Sequence, residues 1–207
     1  MWVKICGVTR LEDAELCVAV GADALGLNFV PGSPRRVPTS MARAIAQRVR
    51  GRIEVVGVVA DLAVDQAEQL LEETGVDVLQ LHGAESPAEL ARLLPRAFKA
   101  IRVGSAADVA LADGYAGDRL LVDARVEGAL GGTGQSVDLE LVRELVRRRR
   151  VILAGGLRPE TVGEAIREST PWGVDVASGV EEPGRPGVKL EPAVRAFVHA
   201  ARRARAI

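Results

Sequence analysis

Cysteine, histidine, lysine and aromatic residues are all scarce in this chain of 207 residues. The only cysteines are Cys6 and Cys17, and the only histidines are His82 and His199. Two cysteines cannot build the disulfide framework of a small secreted domain. Neither lies near a histidine at ligand spacing, so no metal site is expected. Lysine occurs only as Lys4, Lys99 and Lys189, which leaves the positive charge almost wholly to arginine. That bias fits a GC-rich coding sequence and is not in itself a mark of heat stability. An excess of either sign is also missing: 27 basic against 28 acidic residues give a net charge of -1. The balance speaks against a nucleic-acid footprint and against an acidic disordered tail. One basic run, Arg147 to Arg150, directly precedes the apolar Val151-Ile152-Leu153 and reads as a solvated helix end favoured by the helix dipole. No apolar run is long enough to span a membrane. Lys4 and Arg10 interrupt the opening apolar stretch too early for a secretory signal. A cytoplasmic protein without membrane or nucleic-acid partners is the expectation.

What the chain does have is alternation. Short apolar, β-branched runs occur at Val3–Cys6, Ala24–Phe29, Ile53–Val59, Val78–Leu81, Ala97–Val103, Leu120–Asp123, Val151–Ala154 and Gly173–Ala177. They are continuous rather than alternating in polarity, as in parallel strands buried on both faces. Between them lie amphipathic stretches at Leu11–Val20, Ser40–Arg50, Val64–Thr74, Pro87–Leu94, Ala106–Ala112, Leu139–Arg149, Pro159–Glu168 and Leu190–Ala204. Ser86 with Glu89 forms a capping-box pattern. Pro159 suits a first helical turn, and Gly21 and Gly75 suit C-terminal caps. The pattern amounts to eight βα units of about 25 residues, the small end of a single-domain (β/α)8 barrel. The alternative is a doubly wound open sheet. No composition shift divides residues 1–207 into domains.

In such a barrel the chemistry sits at the C-terminal ends of the strands. Cys6 ends the first strand beside Gly7, where a thiol is either a small buried hydrophobe or a partly exposed thiolate of lowered pKa. Cys17, inside a helical pattern, reads as core. Asp123 closes the sixth strand; a carboxyl there suits a general acid, or caps the next helix. Arg35 and Arg36 lie in a Pro- and Gly-bounded loop after the second strand, where a guanidinium could hold a carboxylate bidentately. His82 reads more readily as a satisfied hydrogen-bonding side chain than as a ligand contact, because no relay partner is visible beside it. Gly155-Gly156 after the seventh strand and Ser178-Gly179 after the eighth match the place where this fold commonly binds phosphate on backbone N–H groups. Gly131-Gly132-Thr133-Gly134 lacks the spacing of a dinucleotide fingerprint and reads as a covering loop.

Lys4-Ile5-Cys6-Gly7-Val8-Thr9, Ser33-Pro34-Arg35, Gln80-Leu81-His82-Gly83, Leu121-Val122-Asp123, Gly131-Gly132-Thr133-Gly134, Gly155-Gly156-Leu157 and Asp175-Val176-Ala177-Ser178-Gly179-Val180-Glu181 follow one another in that order. Together they resemble the phosphoribosylanthranilate isomerases of tryptophan biosynthesis over nearly the whole chain. The resemblance implies an Amadori rearrangement of N-(5-phosphoribosyl)anthranilate without metal or cofactor, by a monomer or homodimer. It implies Cys6 as general base and Asp123 as general acid. It also implies Arg35, His82 and Asp175 in substrate binding, with Arg35 on the anthranilate carboxylate, and Gly155, Gly156, Ser178 and Gly179 on the phosphate. The chain departs from the family pattern at Ala177, where a serine is usual, and at Gln135 and Val137-Asp138-Leu139, where Lys and then Phe-Asp-Trp are usual. Two rivals remain at this point. One is the histidine-pathway aldose–ketose isomerase, against which Cys6 argues because a pair of Asp is expected there. The other is a non-catalytic barrel that binds a phosphorylated ligand.

Overall fold

A computed structural model describes residues 1–123 and 139–204. Gly131 to Gly134, and the departures at Gln135, Val137 and Asp138, lie outside the described residues. The strands are β1 (Trp2–Ile5), β2 (Ala24–Asn28), β3 (Glu54–Val59), β4 (Val78–Leu81), β5 (Ala97–Arg102), β6 (Arg119–Asp123), β7 (Arg150–Ala154) and β8 (Gly173–Val176). The helices are α1 (Leu11–Ala19), α2 (Thr39–Val49), α3 (Val64–Thr74), α4 (Pro87–Leu93), α5 (Ala106–Asp113), α6 (Leu139–Val146), α7 (Val162–Ser169) and α8 (Glu191–Ala204). All strands run parallel and β8 pairs with β1, so the sheet is a closed eight-stranded barrel. Closure removes the open-sheet alternative.

The continuous apolar runs are now explained. Alternate residues of each strand serve two separate cores. Val55 and Val59 of β3, Leu120 and Val122 of β6, and Val151 and Leu153 of β7 pack outward with the helices. Val56, Leu121 and Ile152 point the other way and fill the barrel with Ala24, Val78, Phe98, Ala100 and Ala154. A polar residue at an inward position would break neither β-propensity nor register, but it would be held inside the barrel. This is how Lys4, Gln80 and Asp175, all buried, come to be there.

Local signals act as expected at several ends. Ser86 Oγ accepts from the Glu89 N–H while the Glu89 carboxylate accepts from the Ser86 N–H, closing the capping box. Gly75 caps α3 with a φ of 71°. Two boundaries differ from the sequence reading. Helix α7 starts at Val162 rather than Pro159, because a turn closed by Thr161 N–H to the Arg158 carbonyl at 3.1 Å comes first. The arginine run lies past the end of α6, and its members have specific partners: Arg148 pairs with Asp113 and Glu144, and Arg150 lies over the Trp172 ring.

The two barrel ends have different chemistry. At the N-terminal end Trp2 and Trp172 stack at 5.3 Å, and Arg119 lies over the Phe98 ring at 4.6 Å while paired with Glu54. A cavity of about 650 Å³ opens there, bordered by Trp2, Trp172, Phe98 and Arg119. It contains none of the candidate catalytic groups, which all lie at the other end.

Candidate active site

Cys6 follows β1 directly, and its backbone N–H donates to the Val176 carbonyl at 2.7 Å, extending the β1–β8 pairing by one residue. Its side chain points into the barrel, two residues above Lys4 on the same face. Room for both comes from β2. A Cβ placed on Gly26 would sit 2.8 Å from Cys6 Sγ and 3.1 Å from Lys4 Cε, so no larger residue fits there without displacing them. Lys4 is fully buried and its ammonium donates to Asp175 Oδ1 at 2.8 Å. Lys4 and Asp175 are direct partners in the β1–β8 register.

Of the two sequence readings of this thiol, buried or partly exposed, the structure shows the buried one. Cys6 is only 9% exposed, and burial pushes its pKa up; Lys4 is the strongest opposing influence, Asp175 adds to the rise and Lys189 opposes it. Burial would by itself lower Lys4, yet Asp175 and Cys6 together carry it above its ordinary value. Cys17 is fully buried in α1 and burial pushes its thiol up to about 12, as befits a core residue.

Asp123 ends β6, three strands from β1 around the barrel. His82, just past β4, reaches over to it: His82 Nε2 lies 4.0 Å from Asp123 Oδ2. On the other side of the ring, Gln80 Nε2 lies 3.0 Å from His82 Nδ1. An amide nitrogen facing Nδ1 makes that atom an acceptor and places the proton of the neutral ring on Nε2, toward Asp123. Burial keeps the imidazole below its ordinary pKa, against the pull of Asp123. Sequence reading found no partner for His82 because Asp123 is 41 positions away and only the barrel brings them together. Gln80, 2% exposed, also holds Oε1 with no hydrogen-bond partner among the described residues.

Arg35 is placed over the same mouth, but not with its whole fork free. Its Nε and Nη2 donate to the two carboxylate oxygens of Glu181 at 2.8 and 2.7 Å. Nη1 makes no hydrogen bond among the described residues, so the end-on edge of the guanidinium is the one open to a ligand carboxylate. Glu181 also accepts from Lys189 Nζ at 3.0 Å and from the Gly187 N–H at 2.9 Å. Glu181 and Lys189 are site-shaping residues that sequence reading missed. Lys189 lies in no strand or helix, and nothing local marks it as a barrel-mouth residue.

Burial works against ionisation of Glu181, but the hydrogen bonds from Arg35 and Lys189 and the Lys189 charge win, and its pKa falls from 4.5 to about 2. The stabilisation this carries is present above pH 4.5 and is lost as pH falls from there to about 2. Melting temperature should therefore drop across that window, and the drop should be shallower in Glu181→Gln. Equal slopes for the two proteins would assign acid lability elsewhere.

The phosphate candidates sit together on the remaining side. Gly155 and Gly156 follow β7 with φ of 101° and 67°. Ser178 and Gly179 form a 3-10 turn after β8. A side chain on Gly179 would run into the Leu157 carbonyl, so the two turns lie in direct contact. Ser178 and Gly156 are exposed at the mouth, and Ala177, in place of the usual serine, is half-buried. Among the described residues no cluster of three or more His, Cys, Asp or Glu is arranged to hold a metal ion, and no helix is long and apolar enough to cross a membrane.

The comparisons agree with this geometry. A family model described as N-(5'phosphoribosyl)anthranilate (PRA) isomerase matches residues 3–200. The N-(5'-phosphoribosyl)anthranilate isomerase of Myxococcus xanthus (strain DK1622) is 43% identical over 205 residues, spanning 97% of this chain and 95% of that one. The crystal structure of phosphoribosyl anthranilate isomerase from Thermotoga maritima superposes with a TM-score of 0.87 at 32% identity, covering 98% of both chains. A phosphoribosyl anthranilate isomerase solved in complex with reduced 1-(o-carboxyphenylamino)-1-deoxyribulose 5-phosphate superposes with a TM-score of 0.84 at 31% identity, again over 98% of both chains. A closed barrel with Cys6 and Asp123 at its C-terminal mouth is matched from the first strand into the last helix, and the chain belongs to the N-(5'-phosphoribosyl)anthranilate isomerase family.

Proposed function

We propose that Cys6 and Asp123 are the base and acid with which this isomerase converts N-(5'-phosphoribosyl)anthranilate into 1-(o-carboxyphenylamino)-1-deoxyribulose 5-phosphate. The observation that carries the assignment is their placement: a thiol and a carboxyl at the same barrel mouth, three strands apart, so that one sugar can meet both.

The chemistry has two proton transfers. The Asp123 carboxyl protonates the furanose ring oxygen as the C1′–O bond breaks, and the anthranilate nitrogen supplies the electron pair that makes C1′=N⁺. The positive nitrogen acidifies the C2′ proton. The Cys6 thiolate takes that proton, the C2′–H electrons form C1′=C2′, and the iminium pair returns to nitrogen. The enolamine then loses its C2′ hydroxyl proton and gains one at C1′ to become the ketone. Asp123 has given one proton and Cys6 has taken one, so the isomerisation balances, and the two groups must exchange a proton before the next turnover.

The remaining residues fix the substrate between these groups. The open Nη1 edge of Arg35 suits the anthranilate carboxylate. The turns at Gly155-Gly156 and Ser178-Gly179 suit the phosphate, whose binding they would derive from backbone N–H groups rather than from lysine charge. In this reading His82 and Asp175 meet the sugar hydroxyls from strands on opposite sides of the barrel. No cofactor enters this scheme.

Freshly generated phosphoribosylanthranilate is fluorescent, and enzyme-dependent loss of that signal measures the reaction. Saturable loss that excess inorganic phosphate competes with is the expected result. Signal unchanged by the enzyme, beside a working isomerase control, would leave a phosphate-binding barrel without this activity.

A further inference from the structure

We infer that Lys4 is the positioning residue that makes Cys6 a usable base: its ammonium, buried inside the barrel and paired with Asp175, is the counter-charge for the thiolate.

The inference rests on the assignment of Cys6 as base and extends it by one residue. Lys4 is completely buried, and its only ion-pair partner among the described residues is Asp175 at 2.8 Å. A buried ion pair of this kind is a poor device for stability, because well-packed apolar residues of similar volume serve as well or better. Strands β3, β5, β6 and β7 fill the barrel interior with Val56, Ala100, Leu121 and Ile152, while β4 and β8 contribute the buried Gln80 and Asp175. Lys4 is the one cation among these buried interior residues. Beside it the fold has cleared space: Gly26 leaves Lys4 Cε and Cys6 Sγ to converge over the same point of β2.

The need for it follows from the burial of Cys6. In this dry position the thiol resists ionisation, and a thiolate needs a fixed cation. The charged groups around it do not supply one equally. Asp175 on β8 repels a thiolate. Arg35 and Lys189 are cationic but both are engaged by Glu181. His82 on β4 is kept neutral by burial and faces Asp123. Lys4 is the cation whose charge bears most strongly on the sulfur. Because it is shared with Asp175, its help is partial. The resting thiol stays mostly protonated, and the cationic iminium of the reaction intermediate completes the neutralisation only when the base is needed.

The test is an ultraviolet titration of the Cys6 thiolate, taken as the difference between each protein and the same protein carrying Cys6→Ser, so that Cys17 and Tyr115 cancel. Two substitutions should move it in opposite directions. Lys4→Met deletes the charge and keeps the reach, and the Cys6 midpoint should rise by at least about one pH unit, tenfold less thiolate at a given pH. Asp175→Asn deletes the competing carboxylate and frees the lysine, and the midpoint should fall. Midpoints within a few tenths of wild type in both would overturn the inference. If Lys4→Met does not fold, as judged by circular dichroism, the downward shift in Asp175→Asn still decides it. The pH profile of kcat/KM separates this from the reading beneath it. A kinetic limb that moves with the thiolate midpoint supports both. A thiolate midpoint that moves while the kinetic limb stays fixed overturns Cys6 as base and leaves the Lys4–Cys6 coupling in place.

Discussion

Cys6→Ser should fold, melt within a few degrees of wild type, and turn over about 10² to 10⁴ times more slowly, the usual contribution of a positioned general base. The substitution changes one atom in a site whose backbone is held by β-pairing to Val176. Serine is close to cysteine in size, so little packing is lost. What is lost is ionisation. Even pushed up by burial, a thiol ionises far more readily than a hydroxyl in the same place. The wild-type rate should climb with pH on the alkaline side as Cys6 ionises, and that climb should vanish in the variant. Steady-state kcat by fluorescence and melting by circular dichroism check both halves. Turnover within a few-fold of wild type would end the assignment of Cys6 as base.

Asp123→Asn should cost a comparable factor, about 10² to 10⁴ in kcat, with a much smaller change in KM. Asparagine keeps the shape and the hydrogen-bonding reach of the carboxyl but cannot release a proton to the ring oxygen. The neighbour His82 lies 4.0 Å away and could be thought to substitute. Its burial opposes that: the imidazole is already held below its ordinary pKa, and removing Asp123 takes away the largest influence that raises it. The variant's residual rate should therefore stay low down to mildly acidic pH. A kcat close to wild type would move the acid role to another group, and His82 would be the first to test.

These two residues were legible before folding because each is an oddity in an otherwise uniform stretch. Cys6 ends Val3-Lys4-Ile5, and Asp123 ends Leu120-Leu121-Val122. The strand and helix pattern was legible for a related reason: a strand with helices outside and other strands' side chains inside must be apolar on both faces, so eight such runs separated by amphipathic stretches admit few architectures. The boundaries that were misplaced, at Pro159 and in the arginine run, depend on single turn hydrogen bonds and on which carbonyl or ring an arginine finds. Those are decided by neighbours far away in the chain.

Lysine shows the limit most clearly. Its scarcity was visible in the composition, and its meaning was not. All three lysines turn out to be buried, each beside one acid: Lys4 with Asp175, Lys99 with Glu85, and Lys189 with Glu181. Arginine handles the surface, and the rare ammonium is used where a compact point charge fits and a planar fork does not.

The order of strands and helices, the two cores within each strand and the identity of Cys6 and Asp123 as candidate groups came from the sequence by itself, because each depends on residue type and local period. Only the closed barrel decided the rest. It joined β8 to β1 and so set Asp175 beside Lys4, brought His82 to Asp123, turned Arg35 onto Glu181, and decided between the buried and the exposed reading of the thiol. Those are contacts between residues tens to more than a hundred positions apart, and charge and burial at a site are properties of what surrounds a group in space.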